Sequence, residues 1–142
     1  MITMATTLQV RIRQMSPSTS EATIRGHRVS IDRPPSKGGT DAGPMGGELF
    51  LAGIGGCFMS NLLAAIKARG LEIPGLETEV TAELAASPDR FETLELCVSA
   101  DGADPEVLEK LVEIADRSCI MMHTLRGKLE IRTRIVAARA MA

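Results

Sequence analysis

Three side chains able to act as strong nucleophiles, Cys57, Cys97 and Cys119, stand in three different settings in this 142-residue chain. Cys57 directly follows Gly55-Gly56 inside the longest apolar run, MGGELFLAGIGGCFMSNLLAAIKARG over residues 45–70. Cys119 follows the expected end of a second helix, and Cys97 falls inside an expected strand. A thiol reacts as thiolate, and thiolate is favoured near helix N-termini and beside Arg, Lys or protonated His. A reactive thiol with a second one in reach supports a redox cycle. The first is oxidised to sulfenic acid, and the second condenses with it to a disulfide. If the two helices pack together, Cys57 and Cys119 can meet. Spacing alone leaves the alternative of two unrelated core thiols, because free cysteine is among the most buried residue types.

Two other constellations compete for these residues. Cys119 and His123 are four apart and can share a helical face, and with Cys57 and His27 they would supply four zinc ligands. There is no Cys-x-x-Cys, and Ile120-Met121-Met122 points to an apolar surrounding, so the simpler reading of His123 is a hydrogen-bonded structural residue. Glu48 is the only acid between Asp41 and Glu72. A carboxylate at a helix start is favoured by the helix dipole. Its functional reading is a carboxylate that orients an arginine beside a thiolate. Nine residues are about 2.5 helical turns, which puts Glu48 and Cys57 on opposite faces unless the chain bends at Gly55-Gly56.

The elements that must position these residues follow from periodicity. From Leu49 onward, Leu51/Ala52, Phe58/Met59, Leu62/Leu63 and Ile66 recur at helical spacing, with Lys67, Arg69 and then Gly70 as a C-terminal stop. The run is apolar on nearly every side, which predicts a buried central helix. Leu8–Gln14 alternates as a half-buried strand, and Ala22–Ile24 and Val29–Ile31 read as two more around a turn at Gly26. Asp32–Gly47, DRPPSKGGTDAGPMGG, is a long Pro/Gly-rich loop of the kind that is usually functional or disordered, and an ordered loop leading into the helix is expected. Leu76–Ala86 and Phe91–Ala100 alternate as strands, the second with Leu94, Leu96 and Val98 on one face and Cys97 on the other. Asp104 caps a second helix with Pro105 at its first position, and Val107/Leu108, Leu111/Val112 and Ile114/Ala115 form its buried stripe. Leu129–Val136 closes the chain as a strand. The order is about β-β-β-α-β-β-α-β, an α+β pattern within a single domain over residues 1–142, with antiparallel strand pairing.

Composition narrows the function. The chain is 44% hydrophobic with a net charge of −2, which gives no electrostatic case for nucleic acid or an anionic membrane. Three Phe and neither Trp nor Tyr leave no platform for base stacking. The N-terminus lacks a basic region followed by an apolar stretch, so no secretory signal is expected, and the helix run with Glu48, Asn61 and Lys67 is not read as a membrane span. Three cysteines in that context fit a reducing, cytoplasmic compartment.

The segment GGTDAGPMGGELFLAGIGGCFMSNLLAAIKARG, followed about sixty residues later by AxxSCIMMHTLRGKLEIRTRI, resembles the OsmC/Ohr family (osmotically inducible protein C and organic hydroperoxide resistance protein). The resemblance covers almost the whole chain. It implies an intertwined homodimer with two central helices wrapped by antiparallel sheets. It also implies a thiol-dependent peroxidase of oxidative stress defence that acts on organic hydroperoxides and is regenerated by an external dithiol, with no metal or organic cofactor. By this resemblance Cys57 matches the peroxidatic cysteine and Cys119 the resolving one, and Cys97 matches nothing catalytic. Glu48 stands near the place of a family glutamate that pairs with an arginine, with Gly47 the competing position and Arg13, Arg25, Arg28 and Arg33 all open as the arginine. Two departures are visible. Cys119-Ile120-Met121-Met122-His123 replaces a Cys-Pro-x-Ser-Asn type sequence, and the GG-x-D-x-GP approach to the helix is closer to the broader OsmC-like branch. Phe50, Phe58, Met121 and Met122 are expected to make an apolar lining that favours alkyl hydroperoxides. The alternative function is an OsmC-like module that binds a small hydrophobic ligand and has no peroxidase activity.

Overall fold

The fold is that of a computed structural model and is described for residues 6–136; Met1–Ala5, part of the stretch read above for a secretory signal, lie outside it. Strands β1 (Arg11–Gln14), β2 (Ser20–Ile24) and β3 (His27–Ile31) precede a short 3-10 turn (Pro35–Lys37) and helix α1 (Gly46–Ala68). Strands β4 (Glu77–Ala85) and β5 (Arg90–Ser99), helices α2 (Pro105–Ser118) and α3 (Ile120–Leu125), and strand β6 (Glu130–Ile135) complete the order. The chain divides after Phe50 into two compact units.

In the first unit β1, β2 and β3 form an antiparallel sheet in that order. Ile12, Ala22 and Val29 stand in register on one face, and Arg13, Glu21 and Ser30 on the other. Arg25 (φ 54) and Gly26 make the two-residue turn between β2 and β3. The loop that follows is ordered by one buried carboxylate. Asp32 Oδ2 accepts hydrogen bonds from Thr19 Oγ1 (2.9 Å), Thr40 Oγ1 (2.6 Å), Thr40 N–H (3.2 Å) and Ala42 N–H (3.2 Å), and Oδ1 accepts from Arg33 N–H (2.7 Å). The Thr40 hydroxyl, then the Arg33 and Ala42 amides and Thr19, hold this carboxyl far below the usual aspartate range against the opposing effect of burial. Gly39 is required by close packing: a Cβ there would lie 1.9 Å from the Arg33 carbonyl oxygen.

Helix α1 runs unbroken across the unit boundary, through Gly55-Gly56. By length and hydropathy it is apolar enough to cross a membrane. Only one face of it, Ile54, Phe58, Leu62, Ala65 and Ile66, is buried within this chain, 28% of its apolar stretch, so the burial on nearly every side expected from the sequence is not found in the single chain. In the second unit the sheet order is β4-β5-β6. Leu94, Leu96 and Val98 of the central strand β5 are buried with Leu108, Leu111 and Ala115 of α2. The face assignment for β5 therefore holds, as does the Asp104 cap, whose Oδ1 accepts from Glu106 N–H at 2.9 Å.

The half-buried strand expected over Leu8–Gln14 is only β1, Arg11–Gln14, with Leu8, Val10 and Ile12 exposed. Two features of the second unit also depart from the sequence-based expectation. The pairing of β4 with β5 is antiparallel, but β6 lies parallel to β5, so this sheet is mixed. A strand that returns to its neighbour after a helical crossover re-enters in the same direction, and α2 and α3 provide that crossover. Helix α3 itself was absent from the expected order. It is six residues long and begins directly after Cys119, too short for a periodicity to develop.

Candidate active site

Cys57 sits near the middle of α1, and Cys119 sits between α2 and α3, where it ends one helix and starts the next. Its backbone (φ −82, ψ 118) leaves the helical region for one residue, which turns the chain and buries the side chain completely. Cys57 is half-buried. The Cys119 thiol donates to Cys57 Sγ at a sulfur–sulfur distance of 3.3 Å, and both cysteines are free. A disulfide bond length is about 2.05 Å, so a movement of little more than an ångström joins them. Burial pushes the Cys119 thiol up from its ordinary value, aided by the neighbouring Cys57 and opposed by the backbone amides of Met122 and Met121. Burial thus favours Cys119 as the protonated thiol that donates to Cys57.

Asn61, one turn beyond Cys57, donates from Nδ2 to the Cys57 carbonyl oxygen (2.9 Å) and lies 3.9 Å from Cys57 Sγ. The sequence marked Asn61 only as a polar residue in an apolar helix; its i, i+4 spacing from Cys57 was the available signal. Of the apolar residues expected to line the site, Phe58 and Met122 are fully buried, and Phe50 and Met121 are half-buried. An open cavity of about 410 Å³ runs beside α1, lined by Leu51, Ala52, Gly55, Gly56, Met59, Thr78 and Val80.

Glu48 lies in the first turn of α1, where its Oε1 accepts the Met45 N–H at 2.8 Å. This is the reach-back half of a capping box. Between Glu48 and Cys57 the helix is continuous, without the break at Gly55-Gly56 that would bring them to one face. The four candidate arginines all lie in the first unit, and Arg13 pairs with Glu21 at 3.5 Å. His123 Nε2 is 2.6 Å from the Arg117 carbonyl oxygen, the structural role expected for it. Among the described residues no three His, Cys, Asp or Glu side chains converge as a metal-binding group.

Cys97 has its own surroundings, in which Arg134 was unanticipated from the sequence. Its thiol donates to Glu95 Oε1 (3.1 Å), and Arg134 Nη2 reaches both Cys97 Sγ (3.2 Å) and Glu95 Oε1 (3.1 Å). The parallel register of β5 and β6, which places Cys97 opposite Arg134, creates this cluster.

The fold and the paired sulfurs define a small α+β protein with one thiol on α1 and its partner at the break between α2 and α3. The family model described as OsmC-like protein matches residues 38–134, and the chain belongs to that family. No curated protein matches the chain. Among solved structures, an OsmC-like protein from Mycoplasma pneumoniae is similar with a TM-score of 0.82 at 16% identity, covering 96% of this chain and 99% of that one. A hypothetical protein from Aquifex aeolicus VF5 gives 0.81 at 14% identity, covering 97% and 100%. The organic hydroperoxide resistance protein OhrB of Bacillus subtilis gives 0.68 at 23% identity, covering 92% and 98%. At these identities the likeness is one of fold.

Proposed function

We propose that this protein is a cytoplasmic, homodimeric peroxidase that reduces organic hydroperoxides with its own thiols. The observation that supports this most is the 3.3 Å separation of the Cys57 and Cys119 sulfurs. The Cys57 thiolate attacks the peroxide oxygen, the O–O bond breaks, and the alkoxide leaves as the alcohol after taking up a proton. Cys57 is then a sulfenic acid. Cys119 gives up its proton, attacks the Cys57 sulfur and displaces water, forming the Cys57–Cys119 disulfide. An external dithiol reduces this bond and is itself oxidised. The chemistry needs no metal or organic cofactor. The arginine-orienting role expected for Glu48 needed a bend at Gly55-Gly56; with α1 continuous, Glu48 is left out of this cycle as the first-turn cap that accepts Met45 N–H.

Peptide mapping by mass spectrometry, before and after about one equivalent of an alkyl hydroperoxide, tests the reading. A rapidly and selectively formed Cys57–Cys119 disulfide is the expected product. Free thiols at both positions, or slow oxidation shared with Cys97, would overturn it. A second reading, a module that binds a small hydrophobic ligand, draws support from the cavity beside α1. An unchanged thiol titre after peroxide, together with saturable uptake of an apolar dye displaced from α1, would favour it.

A further inference from the structure

The third thiol stands in the middle strand of a sheet, on the face opposite the core residues Leu94, Leu96 and Val98. Its sulfur, one Glu95 carboxylate oxygen and one Arg134 guanidinium nitrogen form a closed triangle. The Cys97 S–H points to the Glu95 carboxylate, the Arg134 guanidinium bridges the Glu95 carboxylate and the Cys97 sulfur, and all three separations lie between 3.1 and 3.2 Å. Cys97 is 9% exposed beneath these side chains. The strand register brings other charges onto the same face: Glu79 of β4 stands opposite Cys97, and Arg132 of β6 stands opposite Glu95. A carboxylate acceptor favours the protonated thiol, and a guanidinium favours the thiolate.

We propose that Glu95 and Arg134 form a clamp that keeps Cys97 as a bound S–H donor, so that oxidising equivalents stay on the Cys57–Cys119 pair. Glu95 is the guarding residue: while its carboxylate holds the thiol proton, Cys97 does not compete as a nucleophile for peroxide or for a sulfenic acid. Arg134 fixes that carboxylate against the sulfur and covers it. The opposing charges give the two residues opposite effects on the thiol. The elevated proton affinity of Cys97, caused first by the Glu95 hydrogen bond and then by burial and opposed by Arg134, agrees with this assignment. The guarding of Cys97 is a property of the reduced protein and stands apart from peroxidase activity; only its consequence for the redox cycle rests on the proposed function.

The test is the pH profile of iodoacetamide alkylation at Cys97, read by peptide mass spectrometry on the reduced full-length protein without peroxide. In Glu95→Gln the midpoint falls, and alkylation at neutral pH accelerates several-fold. In Arg134→Met, which keeps a long covering side chain, the midpoint rises and alkylation slows. Shifts of the same sign in both variants, or no shift in either, overturn the clamp, because simple loosening of the fold would accelerate both. Fast alkylation of Cys97 in the unaltered protein at neutral pH would also overturn it. Circular dichroism of each variant confirms that the folded protein is being compared.

Discussion

The sulfur atoms of Cys57 and Cys119 lie 3.3 Å apart although 62 positions separate them in the chain. One is carried by the middle of α1, the other by the one-residue break between α2 and α3. At that break Cys119 takes extended backbone (φ −82, ψ 118), and its side chain is fully buried.

The first prediction follows from this pairing. Cys57→Ser is expected to reduce alkyl hydroperoxide consumption to the uncatalysed rate. Cys119→Ser should permit one fast turnover and accumulate a Cys57 sulfenic acid that a dimedone-type reagent traps. Stopped-flow consumption assays with a dithiol reductant check both. Sustained turnover by Cys119→Ser with the same dithiol would rule out the two-cysteine cycle.

A second prediction concerns Asp32, whose carboxylate gathers five hydrogen bonds from Thr19, Arg33, Thr40 and Ala42. Its folded-state pKa is depressed, so the stability it confers is present above its unfolded value of 3.8 and is lost as pH falls below that value. The urea midpoint of the unaltered protein is therefore expected to drop through this acid range. Asp32→Asn should unfold at lower urea at neutral pH, and its midpoint should depend less on pH below 4. Equal acid sensitivity in both proteins would show that Asp32 is not the group responsible.

Adjacent glycines in α1 give a third prediction, with opposite signs. At Gly56 an added Cβ meets open space, so Gly56→Ala gains helix propensity and should stabilise by about 0.5–1 kcal/mol. At Gly55 the same atom would lie 2.8 Å from Val80 Cγ2 on β4. Gly55→Ala is expected to lose that gain to overpacking, and Gly55→Val to cost about 1–3 kcal/mol. Thermal unfolding of the three variants compares them directly.

The fourth prediction tests assembly. Sedimentation equilibrium should give a mass near twice 15.1 kDa for the reduced protein. A monomer at micromolar concentration would remove the homodimer from the proposed function and leave the thiol chemistry to be judged on its own.

Much of this was legible in the sequence because it is local. Helical spacing from Leu49 located α1, the Asp104-Pro105 pair located the start of α2, and alternation at Leu94, Leu96 and Val98 identified the buried face of β5. Each signal depends only on residues a few positions apart. The spacing of Cys57 and Cys119 left their meeting open, and the family resemblance was needed to pair them. What periodicity could not reach was decided by tertiary structure. Helix α3 is too short to have a pattern. The parallel course of β6 depends on how the crossover closes, and with it the placing of Arg134 beside Cys97. The hub at Asp32 draws on Thr19 and Thr40, residues 13 positions before and 8 positions after it. A carboxylate or thiol has the same identity in the sequence whatever surrounds it. Its burial, partners and proton affinity are set by groups that only the folded chain brings within hydrogen-bonding distance.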